Sequence, residues 1–282
     1  MITSVSNIMK VPSGLFFVTL EQVSLVDNLR AIYRPSSGMI IREIDLGYST
    51  CDAMSISAEG ERIGIVSESR IRVGDFKTGV LVDYAFGEVE RIFTYGRDFL
   101  CQREDGLCAV LHKGELIPAG KKREILAASL KGEFLLTANE DFVFIEDSNC
   151  NEVFVMEKRG YSLCVDWNDT VVALGEVRGP FRVFDMSTKE VLCELTPESG
   201  WHVYKCFLRN DGFVVVVEVN YKTGGQIRAG TLRYNSGSNV IDYNAYYNIA
   251  PSCSCLINDG QLFVSGTREI VSTLKAEVIS VF

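Results

Sequence analysis

The sequence has little of what most catalytic sites are built from. It holds two His, His112 and His202, which leaves almost nothing for imidazole acid–base or metal chemistry. It has no Walker loop, no GxGxxG, no HExxH, no GxSxG and no CxxC pair, so the common phosphate, dinucleotide, zinc-protease, hydrolase and thiol-redox signatures are missing. No apolar run reaches the roughly 18 residues of a membrane-crossing helix. The longest, Phe213 to Val217, lies between Gly212 and Glu218 and has strand length. The opening MITSVSNIMK lacks the basic-then-apolar order of a secretory leader. A soluble protein without membrane insertion is therefore expected, in the cytoplasm, with the nucleus as the other compartment.

An excess of basic charge is absent too. Against 37 Asp and Glu stand 28 Lys and Arg, a formal net charge of -9. Phosphate backbones select a basic face, so nucleic acid is not expected as the main direct ligand. The nine Cys are odd in number and follow no framework spacing, which reads as reduced, small, apolar packing residues rather than a disulfide scaffold. Cys253 and Cys255 would lie on one side of a strand and are read the same way. With 47% hydrophobic and 23% charged residues the chain has enough apolar material for a sizeable core.

What is present is a repeat. Turn signals recur at Gly14, Gly60, Gly96, Gly132, Asp169, Gly212 and Gly260. A second series follows each of them after a β-rich run, at Tyr33, Gly74, Leu111, Ile145, Phe184, Tyr234 and Leu274. Both series give seven units. Between them lie short runs of Val, Ile, Leu, Phe and Tyr separated by Gly, Asn, Asp and Ser, the pattern of strands and turns. Residues 51–86 show it best, as CDAMSIS, RIGIVSE, IRVGDF and VLVDYAF around three turns. Four antiparallel strands in a unit of this length make a propeller blade, which buries its faces only against neighbouring blades. The expected fold is all-β, a single seven-bladed β-propeller with blades near 1–45, 46–86, 87–119, 120–157, 158–196, 197–244 and 245–282. Blade seven is expected to draw four strands from 252–282, and the first unit to use its own strand from about Ser4 to Val11; pairing of residues 1–8 with the last blade is disfavoured.

SISAEGERIGIVSESRIRVGDFKTGVL, with Gly74-Asp75 and Phe184-Asp185, resembles the repeat of the WD-repeat (WD40-like) propeller family, the two dipeptides taking the place of its Trp-Asp pair. Two of the seven units have Asp there, none has Trp, and the family's Gly-His dipeptide is absent. The hydrogen-bond network that those residues make in a typical blade is therefore missing, and apolar packing between blades is expected to do more of the bracing.

Two readings of function follow. Glu68, Asp141, Glu176, Glu218 and Glu269 fall near the ends of second strands, where metal-dependent propeller lactonases or hydrolases hold a cation at the central channel. Against this, 37 acidic residues place a few carboxylates there in any β-protein. The connections from fourth to first and from second to third strands share one face, and carry Tyr48, Arg70, Lys121, Lys122, Arg123, Lys158, Arg159, Tyr161, Arg178, Trp201, Tyr221, Tyr246, Tyr247 and Arg268. Trp, Tyr and Arg are enriched in interface hot spots, and the basic runs suit an acidic peptide segment. The loops Val219–Ala229 and Tyr243–Ser252 are expected to be the longest. The resemblance implies a non-enzymatic scaffold or adaptor that binds other proteins, a subunit of a larger intracellular complex, with no cofactor and no metal. The lipid-binding members' Phe-Arg-Arg-Gly motif is absent.

Overall fold

The computed structural model describes residues 2–11, 14–23, 26–35, 42–47, 52–129, 131–168, 170–209, 211–223, 226–237, 239–247, 251–257, 261–268 and 272–280. For residues 2–43 and 247–280, and for Ser162, Leu163, Tyr221 and Ala245, the description is of the backbone.

Among the described residues nearly everything is strand. The first sheet holds β1 (Ile2–Val11), β2 (Gly14–Val23), β3 (Val26–Pro35) and β4 (Arg42–Asp45). The second holds β5 (Ala53–Ile56), β6 (Arg62–Ser67), β7 (Arg70–Asp75) and β8 (Leu81–Tyr84). The third holds β9 (Val89–Tyr95), β10 (Asp98–Arg103), β11 (Leu107–His112) and β12 (Glu115–Lys121). The fourth holds β13 (Glu124–Ala128), β14 (Phe134–Ala138), β15 (Phe142–Asp147) and β16 (Glu152–Glu157). The fifth holds β17 (Tyr161–Trp167), β18 (Val171–Val177), β19 (Phe181–Asp185) and β20 (Val191–Leu195). The sixth holds β21 (Trp201–Leu208), β22 (Phe213–Asn220), β23 (Gln226–Arg233) and β24 (Asp242–Tyr247). The seventh holds β25 (Pro251–Ile257), β26 (Gln261–Arg268) and β27 (Ser272–Ser280). Each sheet is a meander in chain order. The chain divides into two compact units, Met1–Asn139 with Ile145–Glu152, and Glu140–Phe144 with Val153–Phe282.

Burial falls from the inner strands outward. In the second to sixth sheets the second strands are buried along almost their whole length, as in β18 and β22, which is why VVALGEV and FVVVVEVN are nearly continuous apolar runs rather than alternating ones. Fourth strands such as β12 are largely exposed. Cores form where one sheet lies on the next. Val66, Ile71, Ile92, Phe99 and Leu111 join the second and third sheets. Ala173, Phe181, Val183, Val203, Val214 and Leu232 join the fifth and sixth.

Close approach requires glycine in β18. A Cβ on Gly175 would lie 2.8 Å from Cys164 Sγ and 2.9 Å from Val203 Cγ1 of the neighbouring sheet.

Polar links between sheets supplement the apolar bracing. Gln102 Nε2 donates to the Arg123 carbonyl (2.7 Å) while its Oε1 accepts the Ile125 N–H (2.9 Å). The Thr94 hydroxyl donates to the Ile56 carbonyl at 2.5 Å. Asp166 Oδ2 accepts the Leu208 N–H at 2.7 Å, and Arg72 and Arg182 reach back to the carbonyls of Leu46 and Glu157. Each ties a side chain of one sheet to the backbone of an adjacent one, so backbone groups at the junction stay paired.

Three findings depart from the sequence pattern. The Trp-Asp position carries Asp in three described sheets: Asp147 joins Asp75 and Asp185 at the end of a third strand. All three accept backbone N–H groups of the following turn, from Lys77 and Thr78 (2.8 Å each), Asn149 and Asn151 (2.9 and 2.8 Å), and Ser187 and Thr188 (2.8 and 3.0 Å). These bonds hold all three carboxyls below their usual range, with the Ser187 hydroxyl leading at Asp185, the Asn151 amide leading at Asp147, and the N–H groups outweighing burial at Asp75. The segment 252–282 yields three described strands, not four, because STLKAEVIS has no turn residue to break β27. The expected long loops are mostly strand: β22 and β23 pair from Phe213↔Arg233 to Asn220↔Gln226, and β24 runs on to Tyr247. Strand β1 pairs with β2, as the first unit's own strand.

Two outcomes follow for stability. Gly175→Ala should destabilise the fold by about 1–3 kcal/mol through overpacking, read as a lower urea midpoint at unchanged m. Burial pushes the Asp166 carboxyl up to about 6 against its hydrogen bonds to Leu208 and Trp167 and the nearby Lys205 charge. A raised value means that the folded state holds this proton more tightly. The stabilisation is complete below the ordinary 3.8 and is lost as pH rises through about 6. Wild-type urea midpoints should therefore fall between about pH 4.5 and pH 7.5, by on the order of 2 kcal/mol. Asp166→Asn, which keeps an acceptor for Leu208, should flatten that slope.

Candidate functional site

Glu176 lies near the end of β18 and Glu218 near the end of β22, each a single acid in a buried apolar strand. A lone buried carboxylate is costly, and the next strand supplies an Arg in both sheets. Arg182 of β19 donates to Glu176 Oε2 at 2.6 Å, with both side chains buried. The other Glu176 oxygen accepts the Arg159 N–H at 3.2 Å. In the sixth sheet Arg228 stands directly opposite Glu218 in the ladder and donates from Nε to Glu218 Oε2 at 2.6 Å. The Tyr243 hydroxyl donates to the same oxygen at 2.6 Å.

Arg228 is also held from both sides. Its guanidinium lies 4.3 Å from the Trp201 ring centroid and 4.0 Å from that of Tyr243, and 3.3 Å from Glu198. Guanidinium planes stack well on aromatic faces, most strongly when desolvated. Burial pushes the Tyr243 hydroxyl well up, and its bond to Glu218 acts in the same direction. Burial opposes the Arg228 charge, but the hydrogen bond and charge of Glu218 outweigh it, so the guanidinium is held above its ordinary range. Each carboxylate is bound by an Arg, and Glu218 Oε1 is buried with no hydrogen-bond partner among the described residues.

The remaining acids considered for a metal do not join them. Glu68 and Asp141 are exposed turn residues, and Glu269 lies outside the described residues. Among the described residues no three His, Cys, Asp or Glu are grouped to hold a metal ion. His112 bonds Asp98 Oδ2 at 2.6 Å.

The expected partner-binding residues take different roles. In the first unit the run Lys121–Arg123 points three ways. Lys121 is exposed at the end of β12, Lys122 donates to Cys150 Sγ at 2.6 Å, and Arg123 is bound by Glu146 (2.5 Å) and Glu152 (2.6 Å). Arg70 is exposed at the start of β7. In the second unit Arg159 pairs with Glu194 at 2.9 Å, and Trp201 is spent on Arg228. What stays outward is Tyr161, 73% exposed with the Lys158 ammonium 6.0 Å from its ring centroid, Arg178 in the turn after β18, and Tyr246, 65% exposed beside Tyr243. Tyr221 begins a 3-10 turn, Tyr247 ends β24 and Arg268 ends β26, each with backbone alone described. Tyr48 lies outside the described residues.

Sequence patterning does not single out Arg182, Arg228 or Tyr243. The signal available is the interrupted apolar run: one Glu in FVVVVEVN calls for a cation on the adjacent strand, and QIRAGTLR offers one.

Removing one partner of a buried pair leaves an uncompensated charge. Glu218→Ala and Arg228→Ala should each cost about 3–5 kcal/mol, whereas replacing both with apolar residues should cost less than either alone. Urea unfolding of the two single variants and the double variant checks this.

No protein-family model and no curated protein matches the sequence. Solved structures do match. The C-terminal WD40 domain of Sif2 superposes with a TM-score of 0.68 at 12% identity, over 99% of this chain and 96% of that one. A chain of the mitotic checkpoint complex gives 0.65 at 10% identity, over 94% and 92%. The WD40 β-propeller domain of Doa1 gives 0.62 at 12% identity, over 94% and 90%. Identities this low speak for the fold alone, and that fold is the WD40 β-propeller.

Proposed function

We propose that the chain is a non-enzymatic scaffold, one seven-bladed WD40-like propeller that binds other proteins inside the cell as a subunit of a larger complex. The observation that carries this reading is how the polar groups at the strand ends are used. Where a catalytic propeller would present free carboxylates, Glu176 and Glu218 are buried against Arg182 and Arg228. The connections around them send aromatic and cationic side chains outward. Exposed aliphatic residues add to it: Val82, Ile117, Val155 and Val191 stand on the outermost strands of four successive sheets, and apolar surface of this kind marks contact sites.

Within the second unit, Lys158, Tyr161, Arg178 and Tyr246 are the residues assigned to the partner, which is a segment with acidic and apolar side chains. Tyr supplies rigid contact area at low entropy cost, and the two cations, Lys158 and Arg178, define its charge. Trp201 is left out of that assignment because Arg228 stacks on it, and Arg123 and Arg159 because their guanidinium groups are paired with carboxylates of the chain.

The test is native size and composition. Size-exclusion chromatography of a native extract, with mass spectrometry of what co-elutes, should place the chain in a stoichiometric complex. The combined change Lys158→Glu, Tyr161→Ala, Arg178→Glu and Tyr246→Ala should release the partner without lowering the melting temperature. Elution of the wild type as a lone 31.4 kDa chain overturns the scaffold reading; retention of the partner by the variant overturns the surface assigned to it.

A further inference from the structure

Two buried cysteines touch where the fifth sheet lies on the sixth. Cys164 is in β17 and Cys206 in β21, and their sulfurs stand 3.6 Å apart. Both belong to the second compact unit and to one apolar core, among Ala173, Phe181, Val183 and Val214. Packing alone accounts for a small apolar residue at either position. It does not account for a second sulfur in contact with the first, nor for what holds the two together.

Three features hold them. Gly175 of β18 has no side chain, and the Cys164 sulfur occupies the room, 2.8 Å from where a Cβ would stand. Two residues beyond Cys164 in β17, Asp166 Oδ2 accepts the N–H of Leu208, two residues beyond Cys206 in β21, at 2.7 Å. That bond clamps the two strands beside the thiols. The thiols are themselves ordered. The Cys164 S–H donates to the Cys206 sulfur, and the Cys206 S–H donates to the Ala173 carbonyl at 3.8 Å. The Cys206 proton thus points away and a sulfur lone pair faces Cys164. From the 3.6 Å contact, an approach of about 1.5 Å brings the sulfurs to the length of a disulfide bond.

We propose that Cys164 and Cys206 form a redox latch, a dithiol that hydrogen peroxide converts to a disulfide joining the fifth and sixth sheets. Cys164 reacts first, being 8% exposed against 3% for Cys206. Its sulfur bonds to one peroxide oxygen, the O–O bond breaks, and the departing hydroxide takes the thiol proton and leaves as water. The Cys206 sulfur then bonds to the Cys164 sulfur. The S–O bond of the sulfenic acid breaks, and the hydroxide released leaves with the Cys206 proton as a second water. The two sulfurs lose two electrons and the peroxide gains them. The bond from Cys164 and burial push the Cys206 thiol well up, with the Asp166 charge adding to them and Lys205 opposing. Thiolate is therefore scarce at neutral pH and closure is slow, so the latch answers sustained rather than brief oxidation. Once closed it joins positions 42 residues apart in sequence, which restricts the unfolded chain and so stabilises the folded one.

The experiment exposes the folded full chain to hydrogen peroxide for minutes and for hours, and maps its peptides by mass spectrometry without reduction. A linked Cys164–Cys206 peptide should accumulate over hours. The melting temperature should rise by about 5 °C as it does, and fall back on adding dithiothreitol. Cys164→Ala and Cys206→Ala, each shown to be folded by its own melting curve, should give neither the linked peptide nor the rise. In urea, where the contact is lost, the wild type should give a mixture of cysteine pairings instead. The proposal is overturned if Cys164 and Cys206 stay free, or end as sulfinic acids, under exposure that oxidises the exposed Cys150. It is overturned equally if the linked peptide forms only in urea, or if the link leaves the melting temperature unchanged.

Discussion

Strands buried on both faces are the constraint on which the rest depends. A sheet such as β17–β20 carries Ala173, Phe181 and Val183 in a core that exists only because the sixth sheet lies against it. Such a sheet alone would expose an apolar face, so its stability comes from a neighbour. The same constraint explains the bare Cα of Gly175, which lets Cys164 and Val203 approach. It also explains why side chains such as Gln102 and Asp166 reach across to the next sheet's backbone. Once sheets are pressed together, an unpaired N–H or carbonyl at the junction has no water to turn to.

Charge follows the same logic. Glu218 sits between valines in β22, where Arg228 faces it and Trp201 and Tyr243 flank the guanidinium. These groups define which strands sit opposite one another as much as they hold them there, since a ladder shifted by one residue would turn Glu218 away from its partner. The constellation of Glu218, Arg228, Tyr243 and Trp201 at this strand end links three strands of the sixth sheet to β22.

The strand pattern was legible because each turn carries its own chemistry. In residues 51–86 the four expected segments correspond to β5–β8, and Asp75 and Asp185 were readable as standing at the Trp-Asp position, though not as acceptors for the turn that follows. Asp147 was hidden by Glu146 before it, which put the acid one place away from where an apolar marker at Ile145 pointed. The lengths of β22 and β23 were hidden because polar residues such as Asn220 and Gln226 pair across the ladder as readily as valines do. The partner-binding residues were the least legible. Exposed Arg side chains look alike in sequence, and only coordinates show that Arg123 and Arg159 are held by Glu146, Glu152 and Glu194 whereas Tyr161 and Tyr246 face outward.

Among the described residues every sheet pairs strands only with their sequence neighbours, and this has a consequence for biosynthesis. A ribosome releases the chain at about 5–20 residues per second, so each sheet can pair its own strands as soon as it emerges. Its leading face nevertheless stays bare for the seconds needed to make the sheet that follows. Synthesis of this protein is thus a series of short waits with one sticky surface showing, and the vulnerable object in the cell is the nascent chain rather than the finished fold.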